Sequence, residues 1–397
     1  MAPGKEAQNM KKALLALYLA VCCMLLGGCG GGQEIESCLF VLSMAVDPAP
    51  QGNLTVTIKA LSGTQEAMGS ASAAPSPHPD TGLEQPEQGY IVMSATAPSC
   101  LRALNMLSST TPRTLHLSQL REIVINQTLA QTDATLSILR EIHSMYRANG
   151  EAIVVVTPDD AGDFIRRQRA ILGVRLSKYL EVLFDHFSQM DTIPADAQLA
   201  SVIAAMESDT ADAAVVYAAG NAFDSAIVLS GAADMDRLPG HLPRTSPAEN
   251  EYLGSALFSG ARMTGTLTGE ETGLMLLMMG RARRQSTFIG NALYRTNLPT
   301  RVRRRIEEDG TLSVHISMSL RHIAGETTLS QEEIAARIER EAVHVLLHLR
   351  AASCDAVGFG RIAIRKSIDI PSWEARNWPE EYERLGVRVS ADVKVLQ

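Results

Sequence analysis

The chain has 397 residues, of which 46% are hydrophobic and 20% are charged, and its net charge at pH 7 is −8. These proportions are typical of a globular protein and exclude a disordered one. An acidic chain also lacks the clustered basic face that nucleic-acid binding requires, so we expect no nucleic-acid partner.

The N-terminus has the features of a secretory leader. Two lysines precede an almost wholly apolar run, 13–26, which ends in two glycines before Cys29. A positive start, an apolar stretch of roughly 7–15 residues and small residues at its end are typical of a signal peptide. The run is also shorter than the roughly 20 residues that span a bilayer. We therefore predict a signal peptide at residues 1–28.

The stretch Leu26-Gly27-Gly28-Cys29 resembles a bacterial lipobox, in which the cysteine receives a diacylglycerol and becomes the mature N-terminus. Two acyl chains hold a protein to a bilayer where one chain binds only marginally. We predict lipidation at Cys29, with diacylglycerol and a fatty acyl chain such as palmitate, and a glycine-rich spacer over 29–33. The alternative is an ordinary cleaved signal in which Cys29 is incidental.

Only three cysteines follow Cys29: Cys38, Cys100 and Cys354. Their spacing suits neither a metal site nor a dense disulfide framework, although a single disulfide bond between two of them is possible. We expect each to pack as a small hydrophobic residue.

Residues 34–240 alternate predicted strands and helices and form an N-terminal region of one or two subdomains. An apolar run at 38–46 and an alternating run at 54–60 predict two antiparallel strands. Residues 62–88, rich in Ser, Ala, Pro, Gly and Gln, predict a long mobile loop. The order of elements over 90–165 indicates a mixed sheet covered by helices. Further predicted strands are 90–94, 123–125, 153–156, 214–217 and 226–229, and predicted helices are 98–107, 135–147, a helix capped by Thr157, and 174–206 broken at Ile193-Pro194.

Three prolines and a glycine over 239–247 predict the main boundary, which leaves a C-terminal α+β domain at 248–397. Thr268 to Glu271 and Ser330 to Glu333 are capping boxes, each of which begins a predicted helix. Asp309-Gly310 favours the positive φ of a two-residue hairpin turn. With another hairpin around Gly260 and a closing strand at 387–395, the fold class is α+β, with mixed and antiparallel sheets packed by helices in two to three domains.

Motifs for catalysis and metal binding are sparse. His344 and His348 are spaced to face one metal, but the glutamate that a zincin places beside its first histidine is absent and no third ligand is evident. Signatures of acyl transfer are absent as well. We predict no catalytic residue, no metal and no non-covalent cofactor.

Arginines cluster in the C-terminal third of this acidic chain. They form either a solvated strand face or a patch that binds anionic lipid headgroups or an acidic partner surface. The members of this cluster are Arg281, Arg283, Arg284, Arg301, Arg303, Arg304 and Arg305.

Several separated stretches together resemble the Ger(x)C family of spore germination lipoproteins, the C subunits of nutrient germinant receptors. The likeness begins at the lipobox and the apolar run 39–46, and continues through 111–117 and 123–125. It is strongest in the C-terminal third, where 267–272 (LTGEET) contains Glu271 and matches the start of a family helix. There, Asp355, Gly358 and Gly360, followed by Trp378, also match the family pattern Asp-x-x-Gly-x-Gly…Trp.

These motif residues have physical interpretations of their own. Asp355 can accept hydrogen bonds from neighbouring turn amides. Gly358 and Gly360 suit a helix exit that needs positive φ or a close approach of the backbone, and Trp378 suits a core position over that turn.

The resemblance implies a non-enzymatic, membrane-anchored subunit on the outer face of the spore inner membrane. It implies assembly with a polytopic, transporter-like B subunit and an A subunit, and a part in receptor assembly or signal coupling. Two other hypotheses stay open: a solute-binding lipoprotein of an importer, and an envelope hydrolase.

Overall fold

The structure is a computed structural model that describes residue 14 and residues 37–61, 89–145, 148–171, 175–194, 196–222, 237–282 without 245 and 247, 286–325 without 290 and 291, and 329–396. Cys29 and its spacer, the leader apart from residue 14, the predicted loop 62–88 and the predicted strand 226–229 lie outside the described residues. None of the described helices combines the length and the apolar character that crossing a membrane requires.

The N-terminal region forms a mixed sheet whose strand order is β3-β2-β1-β5-β6-β7-β8-β9, with β4 paired to β1. The central strands β1, β5, β6 and β7 run parallel, and the strands flanking them pair antiparallel. The predicted antiparallel pairing of the first two strands is confirmed. The strands are β1 (Cys38–Pro48), β2 (Leu54–Leu61), β3 (Tyr90–Ala97), β4 (Thr114–His116), β5 (Glu122–Asn126), β6 (Ile153–Thr157), β7 (Ala214–Gly220), β8 (Asn250–Ser259) and β9 (Arg262–Leu267).

Helices cover both faces of this sheet, which is why its parallel strands are apolar on both sides. One face packs against α1 (Cys100–Ser108), α2 (Gln127–Ala130), α3 (Ala134–Ser144) and α6 (Leu199–Met206). The other packs against α4 (Ala161–Arg167) and α5 (Leu176–Met190). The gap between α5 and α6 confirms the predicted break at Ile193-Pro194.

The predicted cap of α4 is wrong. Thr157 ends β6, and its hydroxyl accepts a hydrogen bond from the backbone N–H of Asp159 at 3.3 Å. The helix is capped instead by Asp160, whose carboxylate accepts from the N–H of Asp163 at 2.8 Å. Thr157 cannot cap the helix because its backbone still pairs with Asn126 of β5.

The C-terminal third contains a second sheet in the order β10-β11-β12-β13, in which only the β12–β13 pair is parallel. Both predicted capping boxes and the Asp309-Gly310 turn are confirmed, with φ +83° at Gly310. The elements are α7 (Gly269–Met278), β10 (Ser286–Ile289), β11 (Ala292–Ile306), β12 (Leu312–Ala324), α8 (Gln331–Ala351), α9 (Gly360–Ala363), α10 (Ile370–Glu374), α11 (Trp378–Arg384) and β13 (Val387–Leu396). The α+β class with mixed and antiparallel sheets is therefore confirmed.

The two sheets meet at β8 and β9. Both strands follow the predicted boundary at 239–247, yet β8 pairs antiparallel with β7 in the first sheet. Leu257 and Leu267, from β8 and β9, belong to the apolar core that surrounds α7, α8 and the second sheet. The boundary between the domains stays a prediction.

The outer edge of β13 is partly covered by α8. The N–H of Ala391 donates to the carboxylate of Glu339 at 2.8 Å, and that of Val395 donates to the side-chain carbonyl of Gln331 at 3.1 Å. These two amides of an edge strand therefore already have acceptors within the chain.

Candidate functional site around Asp355

The family motif forms a tight turn that is organised by one buried carboxylate. Asp355 is only 2% exposed and follows α8. Its Oδ1 accepts from the N–H groups of Gly358 and Phe359 at 2.9 and 2.8 Å. Its Oδ2 accepts from Gly360 N–H at 2.6 Å and from the indole N–H of Trp378 at 3.1 Å. The predicted bonding of Asp355 to turn amides is confirmed.

Both glycines of the motif occupy positions that disfavour any other residue, Gly358 by its backbone conformation and Gly360 by lack of space. Gly358 has φ +80°, a conformation that residues with a Cβ adopt at a cost. A Cβ on Gly360 would lie 2.6 Å from the carbonyl oxygen of Thr210 and 2.6 Å from Nε1 of Trp378. Gly358 therefore meets the expectation of a positive φ, and Gly360 meets the expectation of a close approach of the backbone.

Trp378 lies in a buried aromatic stack beside this turn. Its ring is 6.1 Å from that of Trp373 and 5.9 Å from that of Tyr382, measured between centroids. The hydroxyl of Tyr382 donates to the carbonyl of Cys354 at 3.3 Å. With Trp378 only 4% exposed, the stack fills the core over the turn, as predicted.

Asp212, in the segment before β7, connects this turn to the first sheet. Its carboxylate accepts from the N–H of Asp355 at 2.8 Å and from that of Gly260, in the β8–β9 turn, at 3.0 Å. Its own N–H donates back to the carbonyl of Asp355 at 3.3 Å. Sequence reasoning missed Asp212, because no local pattern marks a carboxylate whose partners are distant in the chain.

Burial dominates the electrostatics of this pair of aspartates. Burial raises the pKa of Asp355 to about 7, although the amides of Gly360 and Phe359 and the indole of Trp378 act to lower it. Asp212 adds a smaller upward contribution. Burial likewise raises the pKa of Asp212 against the effect of its two amide donors. The pKa of Asp355 therefore lies close to neutrality.

Glu271 has two sets of contacts. Its Oε2 accepts from the N–H of Thr268 at 2.9 Å, which completes the capping box of α7. Its Oε1 lies 3.2 Å from Nδ1 of His348 and 3.8 Å from Nε2 of His344, both on α8. In the described part of the chain, no three His, Cys, Asp or Glu side chains are arranged to hold a metal ion. The absence of a metal site stays a prediction.

The basic cluster of the sequence divides between two surfaces, because alternate residues of a strand face opposite sides. Arg301, Arg303 and Arg305 are exposed on the open face of the second sheet. Arg304 points to the other side, where its guanidinium donates to the carbonyl of Val357. Arg281 is half-buried near Arg304, and Arg283 and Arg284 lie outside the described residues.

A buried polar network in the first sheet was also missed. Glu122 is fully buried and accepts hydrogen bonds from Ser43 at 2.6 Å, Tyr252 at 3.1 Å and the amide of Gln168. Lys59 is buried as well, and its ammonium donates to backbone carbonyls at the end of α4. Burial raises the pKa of Glu122. One charged residue within each apolar strand was the only signal available in the sequence.

The three cysteines of the described chain are buried and unbridged, which confirms their expected packing as small hydrophobic residues. These are Cys38, Cys100 and Cys354.

Comparison with known families gives two matches along the chain. Residues 31–219 match the family described as "Spore germination protein N-terminal domain". Residues 253–397 match the family described as "Spore germination B3/ GerAC like, C-terminal".

Among solved structures, the one described as "Crystal Structure of the GerBC protein" is 13% identical to this chain. The match covers 89% of this chain and 97% of that one, with a TM-score of 0.45. The search of curated proteins found no significant match.

Proposed function

Since the chain belongs to the GerAC-like family of spore germination proteins, we propose that it is the C subunit of a nutrient germinant receptor, held at a membrane by a lipid on Cys29. It acts in the assembly of the receptor or in coupling the nutrient signal to germination. The observation that carries this proposal is the pair of family matches, at 31–219 and 253–397.

The membrane anchor is proposed from the sequence. An apolar run followed by Leu26-Gly27-Gly28-Cys29 is the pattern of a lipoprotein signal. The two acyl chains of a diacylglycerol already supply the two hydrophobic chains that stable anchoring requires, and a further acyl chain adds a third. We place the protein on the outer face of the spore inner membrane, beside a polytopic B subunit and an A subunit.

A role without catalysis fits the chemistry of the motif residues. Both oxygens of Asp355 are occupied by hydrogen-bond donors of its own turn and by Trp378. The carboxylate of Glu271 is held at the start of α7. Groups used in this way stabilise a fold, and leave the chain to act by contact with its partners.

The open face of the second sheet supports a position beside an anionic surface. Arg301, Arg303 and Arg305 are exposed on it, and the register places serines, His315 and β13 beside them. On β13 the outward residues include Arg388 and Lys394, with Asp392 as the acidic member. Attraction between such a face and anionic headgroups or an acidic protein surface weakens with salt.

The experiment compares Cys29→Ala with the matched control Cys23→Ala, which changes a cysteine inside the predicted leader. We expect Cys29→Ala to release the protein from the spore membrane fraction, to abolish metabolic labelling with a palmitate analogue, and to slow germination in response to one nutrient. Cys23→Ala should leave all three measurements unchanged.

A deletion strain tests the receptor role separately from the anchor. We expect loss of germination with one nutrient and normal germination with a trigger that bypasses receptors. A deletion strain that has no redundant receptor and still responds normally to every nutrient would overturn the proposal.

A further inference from the structure

A cavity of about 310 Å³ lies where the first sheet meets the C-terminal elements. Its walls come from α6 and the segment after it, from the end of α7, from β11 and from the turn that follows Asp355. This volume is at the lower end of the range for small-molecule sites, which is roughly 300–1,000 Å³.

Three arginines line this cavity from three different elements. Arg281 follows α7, Arg304 lies on β11 and Arg361 lies on α9. Nη1 of Arg304 and Nε of Arg361 each lie 4.0 Å from the place where a Cβ on Gly358 would stand, so they are at most twice that distance apart. The packing of the chain therefore brings cationic groups together around the Gly358 backbone.

Arg281 and Arg304 are half-buried and Arg361 is exposed, and the three guanidinium groups repel one another. Burial lowers the pKa of Arg304, and the charges of Arg281 and Arg361 lower it further. Burial and Arg361 also lower the pKa of Arg281. An anion placed between these groups would remove this repulsion.

In the described chain, Arg304 and Arg361 have no ion-pair partner among the carboxylates near the cavity. Asp196 forms an ion pair with Arg281. Asp212 also lines the cavity, but its oxygens accept the N–H groups of Gly260 and Asp355.

The remaining contacts of the two unpaired arginines are few. The guanidinium of Arg304 donates to the carbonyl of Val357, and the buried Asp355 attracts it from a longer distance. Among the described residues, Arg361 has no acceptor for its guanidinium. Because an arginine has five N–H donors, both side chains retain free donors at the cavity.

The cavity also has an apolar wall. It is formed by side chains of Met275, Leu276 and Met279 together with Ala204 and Ala205. We propose that this cavity binds a small organic anion, with its carboxylate or phosphate group held by Arg304 and Arg361 and its apolar body against Met275 and Leu276.

Isothermal titration calorimetry of the full-length protein in neutral detergent tests this site with benzoate, phenyl phosphate and inorganic phosphate. We expect saturable binding of benzoate or phenyl phosphate. Arg361→Gln should weaken that binding about tenfold, the effect of losing a charge-assisted pair of hydrogen bonds. The matched control is Arg365→Gln, an exposed arginine one turn further along that does not line the cavity, and its affinity should be unchanged.

Two further variants separate a binding site from a fold defect. Asp196→Asn frees Arg281 from its ion pair and should tighten binding of the same anion, an effect that destabilisation would not produce. Ser201→Glu puts a carboxylate on an exposed position of α6 in the cavity wall and should abolish binding while thermal unfolding stays unchanged.

The titrations test both the proposed anion site and the role of its apolar wall. Which of the two organic anions binds identifies the favoured anionic group. Failure of both to bind, or equal affinities for Arg361→Gln and Arg365→Gln, would overturn the proposal. Inorganic phosphate that binds as tightly as phenyl phosphate would overturn the role of the apolar wall.

Discussion

At the residue scale, the carboxylate of Asp355 meets four donors that come from its own turn and from Trp378. Each donor is buried, so water cannot replace the carboxylate as acceptor if the side chain is changed. Replacing Asp355 therefore costs the desolvation free energy of the N–H groups that are left unpaired. This cost exceeds the modest net contribution of a hydrogen bond at the surface.

We expect Asp355→Asn to lower the free energy of unfolding by about 2–4 kcal/mol. The NH₂ group of the asparagine would face buried N–H donors where the carboxylate has an accepting oxygen. Urea denaturation followed by circular dichroism measures this change. The control is Asp209→Asn, an exposed carboxylate a few residues before Asp212, which should change the free energy of unfolding by less than about 0.5 kcal/mol. Equal effects of the two variants would contradict this role for Asp355.

The raised pKa of Asp355 gives the stability a pH dependence of definite sign. The folded state holds a proton up to about pH 7, whereas an unfolded aspartate loses it near pH 4. Stability contributed by this group is therefore fully present below about pH 4 and declines as the pH rises to about 7. The wild-type advantage over Asp355→Asn should be about 2.6 kcal/mol larger at pH 5 than at pH 8. The same denaturation series at both pH values measures it, and an advantage that grows with pH would contradict it.

Residue roles were predictable from the sequence where the partners are close along the chain. The amides that Asp355 binds lie three to five residues away, and this spacing already indicated a turn. Asp212 and Glu122 were not predictable, because their partners are set by how distant strands meet. The same holds for the convergence of Arg281, Arg304 and Arg361.

At the scale of single elements, local signals were dependable. Both capping boxes and the Asp309-Gly310 turn act through neighbours a few residues apart, and the structure contains all three. The cap at Thr157 failed because strand pairing with Asn126 holds that residue in β6. The arginine cluster was treated as one group, whereas the alternation of β11 divides it between an open face and a cavity.

The capping box of α7 gives a test at this scale. Thr268→Ala removes the hydroxyl that accepts from the N–H of Glu271 at 3.2 Å, so we expect the free energy of unfolding to fall by about 1 kcal/mol. Thr268→Ser keeps the hydroxyl and should recover most of that loss. Thermal unfolding of both variants measures the effect, and a serine variant as unstable as the alanine variant would show that the cap is not the cause.

At the scale of the whole molecule, the order of strands joins regions that the sequence predicted as separate. Strands β8 and β9 follow the proline-rich stretch at 239–247 but complete the first sheet. Proline and glycine content marks a break in regular structure, and gives no information on which sheet the next strand enters. This is why strand bounds were predictable and strand neighbours across the boundary were not.

Coupling between the two sheets predicts a single cooperative unfolding transition. The chain has two tryptophans: Trp378, which donates a hydrogen bond to Asp355, and Trp373, which stacks on Trp378. Their fluorescence therefore reports the C-terminal elements alone, whereas far-UV circular dichroism reports both sheets. Because Asp212 and the core at Leu257 and Leu267 connect them, we expect the two probes to give the same urea midpoint. Separate midpoints would mean that the sheets unfold independently.

The contacts of Glu339 and Gln331 with the outer edge of β13 restrict how other proteins can join this one. An edge strand normally offers a row of free amides on which a foreign strand can add. Here two of those amides are already bonded to side chains of α8, which disfavours the addition of a foreign strand along β13. The other outer strands are β3 and β9 of the larger sheet and β10 of the smaller one, and a subunit that recruits this chain by extending a sheet would add to one of these.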